Sequence, residues 1–159
     1  MKYAYFAGGC FWGVEYFFTQ TKGVLKATSG FMGGHLKNPS YEDVCYKDTG
    51  HLEVVSVQYD ESVVSYEELA KLFFEIHDPT QANGQGPDIG EQYLSAVFVS
   101  DEKEREIIEK LINLLEQKGL HVKTKILEKS EFYPAEQYHQ NYYFKTGKIP
   151  YCHVYTRRF

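Results

Sequence analysis

Apolar patterns typical of strands and of helices alternate along this chain, and this alternation constrains its fold more than any other feature. The clearest helix pattern follows the candidate N-cap Asp101 and ends at Gly119. Its apolar stripe consists of Ile107, Ile108, Leu111, Leu114 and Leu115. Strands are predicted over residues 2–9, 53–60, 93–100 and 121–128, and helices over 11–21, 65–77, 101–119 and 134–145. The alternation predicts an α/β (α+β) sandwich with βαβ-type units and a small mixed sheet flanked by helices.

Chain length and loop placement bound the domain organisation. At 159 residues, the chain is expected to form one domain over residues 1–159. The segments 30–51 and 78–92 carry Tyr, Asp and His beside glycines without a regular pattern. Irregular loops of this length are uncommon in compact domains and are usually functional or disordered, so we expect these two to carry function.

Charge, hydropathy and cysteine spacing argue against several classes of protein. The net charge of -5 and the lack of a Lys/Arg-rich run argue against nucleic-acid binding. No apolar run reaches the roughly 18 to 20 residues of a membrane span, and the N-terminus lacks a signal-peptide core, so we expect no membrane partner and a cytoplasmic location. The three cysteines and six histidines lack metal-site and C-x-x-C spacings, which argues against a disulfide scaffold and predicts no metal.

Cys10 is the first candidate for chemistry, because it lies at the turn between the first strand and the first helix. A thiol at a helix N-terminus has a lowered pKa, which favours the nucleophilic thiolate. The neighbouring Gly9 and Gly13 favour this interpretation, since they allow a substrate to approach the backbone closely. The alternative, a small apolar residue packed in a tight turn, stays open.

Phe11 and Trp12 follow the thiol directly, and Trp12 is the only tryptophan of the chain. Aromatic residues beside a core helix usually belong to the core. If this pair instead lines a pocket beside the sulfur, it would hold a small apolar group, such as a methyl on sulfur.

Glu53 is a candidate general acid. It falls in phase with Val55 and Val57 on the apolar side of its strand. Burial disfavours the charged form of a carboxyl and raises its pKa, so such a group can stay protonated near neutral pH. Alternatively, Glu53 escapes to solvent at the strand end. The further candidates Tyr41, Asp88 and Tyr93 lie in or beside the two predicted loops, where each one alone is equally consistent with a surface or packing position.

Seven ordered segments carry a family resemblance: GGCFWGVE, NPSYEDVC, TGHLEVV, HDPT, NGQGPD, EQYLS and FYPAEQYHQNYY. In order and spacing, they resemble the peptide methionine-(S)-sulfoxide reductases, the A-type methionine sulfoxide reductases. The resemblance spans nearly the whole chain. It implies a ferredoxin-like core and the thiol-dependent reduction of methionine-(S)-sulfoxide, peptide-bound or free, in the repair of oxidised proteins, without a cofactor.

The resemblance also implies a role for each candidate residue. It makes Cys10 the nucleophile and Glu53 the acid that protonates the sulfoxide oxygen. The S-methyl pocket would be formed by Phe11 and Trp12. The sulfoxide oxygen would be bound by Tyr41 and Tyr93, with Asp88 organising the polar side of the pocket.

Recycling is the remaining expectation. Methionine would leave Cys10 as a sulfenic acid, which a second thiol must condense with before thioredoxin reopens the disulfide. Cys152 in the C-terminal tail is the candidate for that thiol, whereas Cys45 is interpreted as structural. Leu94 replaces the usual arginine of the family, and the tail lacks the longer glycine-rich extension of some members. We expect the enzyme to act as a monomer.

Two other functions remain as alternatives. A thiol peroxidase would share the sulfenic acid but would have no use for the Phe-Trp pocket. A binding module for methionine-containing peptides would need the pocket, but neither Glu53 nor a recycling thiol. Incubation with dithiothreitol and a resolved methionine sulfoxide separates all three.

Overall fold

The computed structural model describes residues 2–148, 150 and 153–159. The strands are β1 (Lys2–Gly8), β2 (Val24–Met32), β3 (Leu52–Tyr59), β4 (Gly84–Gln85), β5 (Asp88–Ile89), β6 (Ser95–Val99), β7 (Lys125–Glu128) and β8 (Tyr133–Pro134). The α-helices are α1 (Phe11–Thr19), α2 (Tyr41–Tyr46), α3 (Tyr66–Glu75), α4 (Glu102–Gln117) and α5 (Tyr142–Thr146). Short 3₁₀ turns cover Glu91–Tyr93 and Gln137–His139. None of the helices in this described part of the chain is long and apolar enough to cross a membrane.

Six strands form one mixed sheet in the order β7-β6-β1-β3-β2-β8. Strands β6 and β7 pair in parallel, and the other neighbours pair antiparallel. Strands β1 and β2 lie on either side of β3, and α1 connects them. Strands β3 and β6 lie on either side of β1, and the connection between them contains α3. Two interleaved split β-α-β units of this kind make a ferredoxin-like core, which confirms the predicted fold class.

Both faces of the central sheet are buried. Helices α1, α3 and α4 cover one face, where Phe18, Phe73 and Ile108 are fully enclosed. On the other face, Val54 and Phe98 belong to a second cluster that is covered in part by the segment after β7. Because the first part of strand β3 lies between these two covered faces, a polar side chain there, such as Glu53, loses contact with water.

The strongest sequence pattern yields the best-defined helix. The Asp101 side chain accepts a hydrogen bond from Glu104 N at 2.8 Å, which confirms it as the N-cap of α4. Ile108, Leu111 and Leu115 of the predicted stripe are fully buried. Helix α4 therefore forms where local periodicity and capping agree.

The helix predicted over residues 134–145 is wrong up to residue 141, and only its end, from Tyr142 onward, is α-helical. Pro134 instead ends strand β8, which pairs with β2. The chain then makes a 3₁₀ turn and passes through Asn141 in the left-handed conformation, with φ 55°, before α5 begins. The Gln140 side chain accepts from Ser29 N at 2.9 Å and donates to Ser29 O at 2.9 Å. These tertiary hydrogen bonds override the helical pattern.

The predicted loop 30–51 is partly regular. Strand β2 continues into it, and α2 begins behind a capping box formed by Ser40 and Asp43. Gly30 weakens the strand signal of β2, because glycine has no side chain to pack in a sheet. The fold nevertheless requires it, since a Cβ at Gly30 would lie 2.4 Å from the carbonyl oxygen of Tyr133.

Two further segments differ in extent from the prediction. Strand β7 begins at Lys125 rather than at residue 121, because the backbone N–H of Lys123 donates to Pro79 O at 2.7 Å instead of joining the sheet. Within residues 78–92, β4 and β5 form a short antiparallel hairpin, followed by a 3₁₀ turn.

Candidate active site

Cys10 lies where the sequence predicts it, between the end of β1 and the start of α1. Gly9 makes this turn possible with φ +91°, and a Cβ there would lie 2.5 Å from Gln85 Cβ. Cys10 occupies the N-cap position, and its carbonyl oxygen accepts from Gly13 N at 3.2 Å. The side chain is buried. A side chain at this position lies at the positive end of the dipole of α1, which favours the thiolate expected of a nucleophilic cysteine.

Glu53 lies inside the protein, only 1% exposed, so the alternative of a solvated strand end is wrong. Its Oε1 accepts a hydrogen bond from the backbone N–H of Phe11 at 3.1 Å, the residue that follows Cys10. Burial raises the pKa of Glu53 to about 8, the hydrogen bond from Phe11 opposes this, and the charge of Asp88 adds to it. Among the described residues, Glu53 Oε2 has no hydrogen-bond partner. A protonated Glu53 would thus carry its proton on Oε2.

The two aromatic residues after Cys10 differ in burial. Phe11 is 1% exposed and packs its ring 5.5 Å from Phe31 and 6.0 Å from Tyr41. Trp12 is half-buried and stacks on Tyr142, with ring centroids 3.8 Å apart and an interplanar angle of 6°. Phe11 is thus a core residue that also borders the Tyr41 ring, whereas Trp12 presents part of its indole to the surface.

Tyr41 and Tyr93 both lie close enough to Glu53 to be affected by its charge. Tyr41 opens α2, and Tyr93 ends the 3₁₀ turn after β5. Burial raises the pKa of each hydroxyl above its ordinary value, and the charge of Glu53 is the next largest cause in both. Cys10 and Asp88 also contribute to the raised pKa of Tyr93. Both phenols therefore remain neutral hydrogen-bond donors near neutral pH.

Asp88 reaches the same cluster from the β4-β5 hairpin. It pairs with Gln85 in that hairpin and is half-buried. Its charge raises the pKa of both Glu53 and Tyr93. The structure therefore brings Cys10, Glu53, Tyr41, Tyr93 and Asp88 into one cluster, built from the β1-α1 turn, α2, β3 and the stretch from β5 to the following 3₁₀ turn.

The other two cysteines are Cys45, in helix α2, and Cys152, in the C-terminal tail. Cys45 is half-buried on α2, where burial raises the pKa of its thiol and a hydrogen bond donated by the Tyr41 hydroxyl opposes this. Cys152 lies outside the described residues. The next residue, His153, is buried, and its Nε2 donates to the carbonyl oxygen of Gly8 at 2.6 Å.

Three residues of the site region escape prediction from sequence. His139 Nδ1 accepts from the indole N–H of Trp12 at 3.1 Å, and His153 packs against the turn before α1. Glu15 is buried on α1. Its helical phase offers a signal, because Phe11, Glu15 and Phe18 recur at spacings of four and three residues on one face. Neither histidine carries such a signal, since each contact joins residues more than 120 positions apart.

Comparisons with known proteins identify the family of this chain. Residues 2–159 match the family described as peptide methionine sulfoxide reductase. A peptide methionine sulfoxide reductase MsrA from Nautilia profundicola is 49% identical over 152 residues, which cover 96% of this chain and 88% of the relative. Among solved structures, reduced Mxr1 from Saccharomyces cerevisiae matches with a TM-score of 0.89 and 33% identity, covering 97% of this chain and 91% of Mxr1. Methionine sulfoxide reductase A of Corynebacterium diphtheriae matches with a TM-score of 0.84 and 38% identity, covering 95% and 77%.

Proposed function

This chain belongs to the peptide methionine sulfoxide reductase family and reduces methionine sulfoxide to methionine, and from that premise we propose that Cys10 and Glu53 carry the reaction. One observation supports this most directly. The buried carboxyl of Glu53 binds the backbone N–H of the residue that follows the Cys10 thiol. A proton donor and a nucleophile are thereby held at the same helix N-terminus.

The chemical step follows from these two groups. The Cys10 thiolate attacks the sulfoxide sulfur, while the proton on Glu53 Oε2 passes to the sulfoxide oxygen. The oxygen ends on the Cys10 sulfur as a sulfenic acid, and methionine leaves. The substrate sulfur gains two electrons, and the Cys10 sulfur loses them.

The surrounding residues select and polarise the substrate. Phe11 and Trp12 form the wall against which the S-methyl group lies. Tyr41 and Tyr93 donate hydrogen bonds to the sulfoxide oxygen as negative charge develops there. Burial raises the pKa of Glu53 and the charge of Asp88 adds to this, so that the acid stays protonated at neutral pH.

Recycling uses Cys152 in this proposal. The Cys10 sulfenic acid condenses with the Cys152 thiol, which forms the disulfide and releases water, and thioredoxin then reduces the disulfide. His153 supports this choice, because its bond to Gly8 O anchors the residue after Cys152 two residues from Cys10 in the β1-α1 turn. A solved complex of yeast Mxr1 with Trx2 supports thioredoxin as the reductant. Cys45, bound to the Tyr41 hydroxyl, is the alternative recycling thiol.

The remaining expectations belong to the same proposal. Residues 1–159 act as one domain, which the family match over residues 2–159 supports. The enzyme acts as a monomer, since one chain supplies the whole cluster of candidate residues. A cytoplasmic location suits a reaction that depends on a pool of reduced thioredoxin.

The decisive assay uses resolved diastereomers of methionine sulfoxide with dithiothreitol. We expect the S form to yield methionine and the R form to remain, because the methyl wall and the oxygen-binding tyrosines accept one arrangement around the sulfur. Hydrogen peroxide serves as the second substrate, since a thiol peroxidase would consume it faster than the sulfoxide. Binding of the sulfoxide without turnover would instead favour a binding module.

A further inference from the structure

The exposed part of Trp12 is held from one side by a short segment of the chain. This 139–142 segment contains His139, which accepts the indole N–H at 3.1 Å, and Tyr142, whose ring stacks on the indole at 3.8 Å. Because indole N–H only donates, His139 Nδ1 is the unprotonated nitrogen. Burial also lowers the pKa of His139, which keeps the ring neutral. The orientation of Trp12 thus depends on where this segment lies.

Regular structure reaches the 139–142 segment only at its ends, since His139 closes a 3₁₀ turn and Tyr142 begins α5. Between them, the Gln140 side chain is hydrogen-bonded to Ser29 on strand β2. Asn141 adopts the left-handed conformation, with φ 55°, which costs backbone energy in a residue other than glycine. Its backbone N–H donates to Glu15 Oε1 at 2.6 Å. Ser29 Oγ donates to the other oxygen, Glu15 Oε2, at 3.1 Å. Both carboxyl oxygens of Glu15 are therefore occupied, one by the segment and one by strand β2.

Glu15 belongs to the same helix as Trp12, less than one turn further along. The carboxyl is 1% exposed, and burial raises its pKa to about 7 against the opposing hydrogen bonds from Asn141 and Ser29. Lys145, at the end of α5, is the charged group that favours its ionised form. Burying a carboxyl group destabilises a protein unless both of its oxygens are hydrogen-bonded. For Glu15, the backbone of the 139–142 segment supplies one of these two hydrogen bonds.

We propose that Glu15 is a positioning residue of the substrate pocket. By binding the backbone of Asn141, it fixes His139 and Tyr142 against Trp12, and so fixes the indole face that meets the S-methyl group. This inference rests on the proposed function in one respect, namely that Trp12 lines the pocket. Glu15 does not touch the reacting atoms.

The test compares Glu15→Ala with Glu15→Gln in the dithiothreitol assay. Removing an acceptor that serves a buried N–H leaves that donor unsatisfied, so in Glu15→Ala we expect KM for methionine-(S)-sulfoxide to rise about tenfold, with kcat changed less than about threefold. The Gln variant keeps an oxygen for Asn141 N and is expected to stay within about twofold of the parent. Trp12 is the only tryptophan, so its fluorescence reports the change directly. Acrylamide should quench it more strongly in Glu15→Ala than in the parent.

Glu75→Ala is the matched control. Glu75 is also a buried carboxyl that accepts from a distant backbone N–H, that of Arg158 at 3.1 Å, but it lies on α3. It should lower the melting temperature and leave both KM and Trp12 quenching unchanged. Equal effects of Glu15→Ala and Glu75→Ala on KM and quenching would overturn the proposal, since Glu15 would then act through general stability.

Two additional comparisons close the test. If Glu15→Ala fails to fold, the hydrogen bond between Glu15 and Asn141 can be tested from the Asn141 side. Asn141→Ala strains the left-handed backbone at this residue, and Asn141→Gly is the control without that strain. The proposal is supported if KM and acrylamide quenching rise in Asn141→Ala and not in Asn141→Gly. It is overturned if both quantities in Asn141→Ala equal those of the parent. Trp12→Ala distinguishes a failure of the proposed pocket from a failure of the role proposed for Glu15. An unchanged KM in Trp12→Ala would contradict the pocket itself. A raised KM in Trp12→Ala, together with an unchanged KM in Glu15→Ala, would contradict only the role of Glu15.

Discussion

Cys10 and Glu53 are 43 positions apart in sequence, yet in the structure Glu53 accepts a hydrogen bond from the backbone N–H of Phe11, the residue next to Cys10. In the proposed mechanism, this contact sets an acidic side chain on a buried strand beside a thiol on a neighbouring helix. Burial raises the pKa of Glu53, so its carboxyl keeps its proton near neutral pH. A helix N-terminus in general favours the thiolate form of a cysteine placed at it.

Cys10→Ser should abolish methionine formation while leaving the melting temperature near that of the parent. A serine hydroxyl is far less nucleophilic toward sulfur and forms no sulfenic acid. Methionine can be counted by chromatography after incubation with dithiothreitol. Activity within about tenfold of the parent would contradict the whole assignment.

Glu53→Gln keeps the shape of the side chain but has no acidic proton. We expect the rate of the chemical step to fall by roughly 10² to 10⁴ at neutral pH, mostly in kcat. In the parent, this rate should decline as pH rises through about 8, because Glu53 then loses its proton. Single-turnover pH profiles check this, and the same decline in the Gln variant would exclude Glu53 as the acid.

At the scale of elements, the turn between β1 and α1 connects the site with the C-terminal tail. His153 lies so close to α1 that a Cβ at Gly13 would be 2.1 Å from His153 Nδ1. Two glycines, Gly9 and Gly13, thus open the turn for the Gln85 and His153 side chains respectively. The glycines around Cys10 therefore admit parts of the protein itself, in addition to any role in substrate approach.

Gly13→Ala should destabilise the protein by roughly 1–3 kcal/mol, although alanine favours helices, because the new methyl displaces the His153 ring. Combining it with His153→Ala should give a smaller loss than the sum of the single changes. Urea unfolding of the four proteins measures this coupling. Strict additivity would show that Gly13 and His153 do not interact.

Cys152→Ser tests the recycling step of the tail. A single turnover should still yield about one methionine per enzyme, because the first step uses only Cys10 and its acid, whereas turnover with thioredoxin should stall. Cys45→Ser is the control and should keep thioredoxin turnover. A Cys10–Cys45 bridge in the oxidised parent, together with a fully active Cys152→Ser, would transfer the recycling role to Cys45.

At the scale of the whole molecule, the buried carboxyl groups of the site make the free energy of unfolding depend on pH. Glu53 and Glu15 have folded-state pKa values raised to about 8 and about 7. The stability they contribute is complete below their unfolded pKa of about 4.3 and is lost as pH rises through the folded values. Buried His77 acts oppositely, since its pKa is lowered to about 3, but its effect ends near its unfolded pKa of about 6.5.

Urea midpoints should therefore decrease between pH 6.5 and pH 9, and Glu53→Gln should reduce that decrease. At pH 9 the variant should be more stable than the parent, because it avoids a buried charge. Asp60→Asn is the control: the pKa of Asp60 is lowered, so it does not titrate in this range. A decrease of equal size in Glu53→Gln and in the parent would show that other groups cause it.

Sequence patterns that span only a few residues were sufficient to predict much of this protein's structure. Helix α4 follows from its apolar period and its Asp101 cap, and the position of Cys10 follows from the strand, glycine and helix patterns around it. The seven family segments identified the reaction, and their residues Cys10, Glu53, Tyr41, Tyr93 and Asp88 do lie in one coupled cluster. Such signals work because helix caps, turns and periodicity depend on residues only a few positions apart.

Long-range contacts decided the rest. Residues 134–145 have a helical pattern, yet hydrogen bonds with distant elements stabilise a turn and a left-handed Asn141 before the helix begins: Ser29 N donates to the Gln140 side chain, and Asn141 N donates to Glu15. The raised pKa of Glu53 likewise requires two packed faces of a sheet, which no window around residue 53 contains. Sequence alone determined several local elements and indicated the candidate reacting groups. Only the tertiary structure decided their burial and their partners, because desolvation and hydrogen bonding at each site depend on residues far away in the chain.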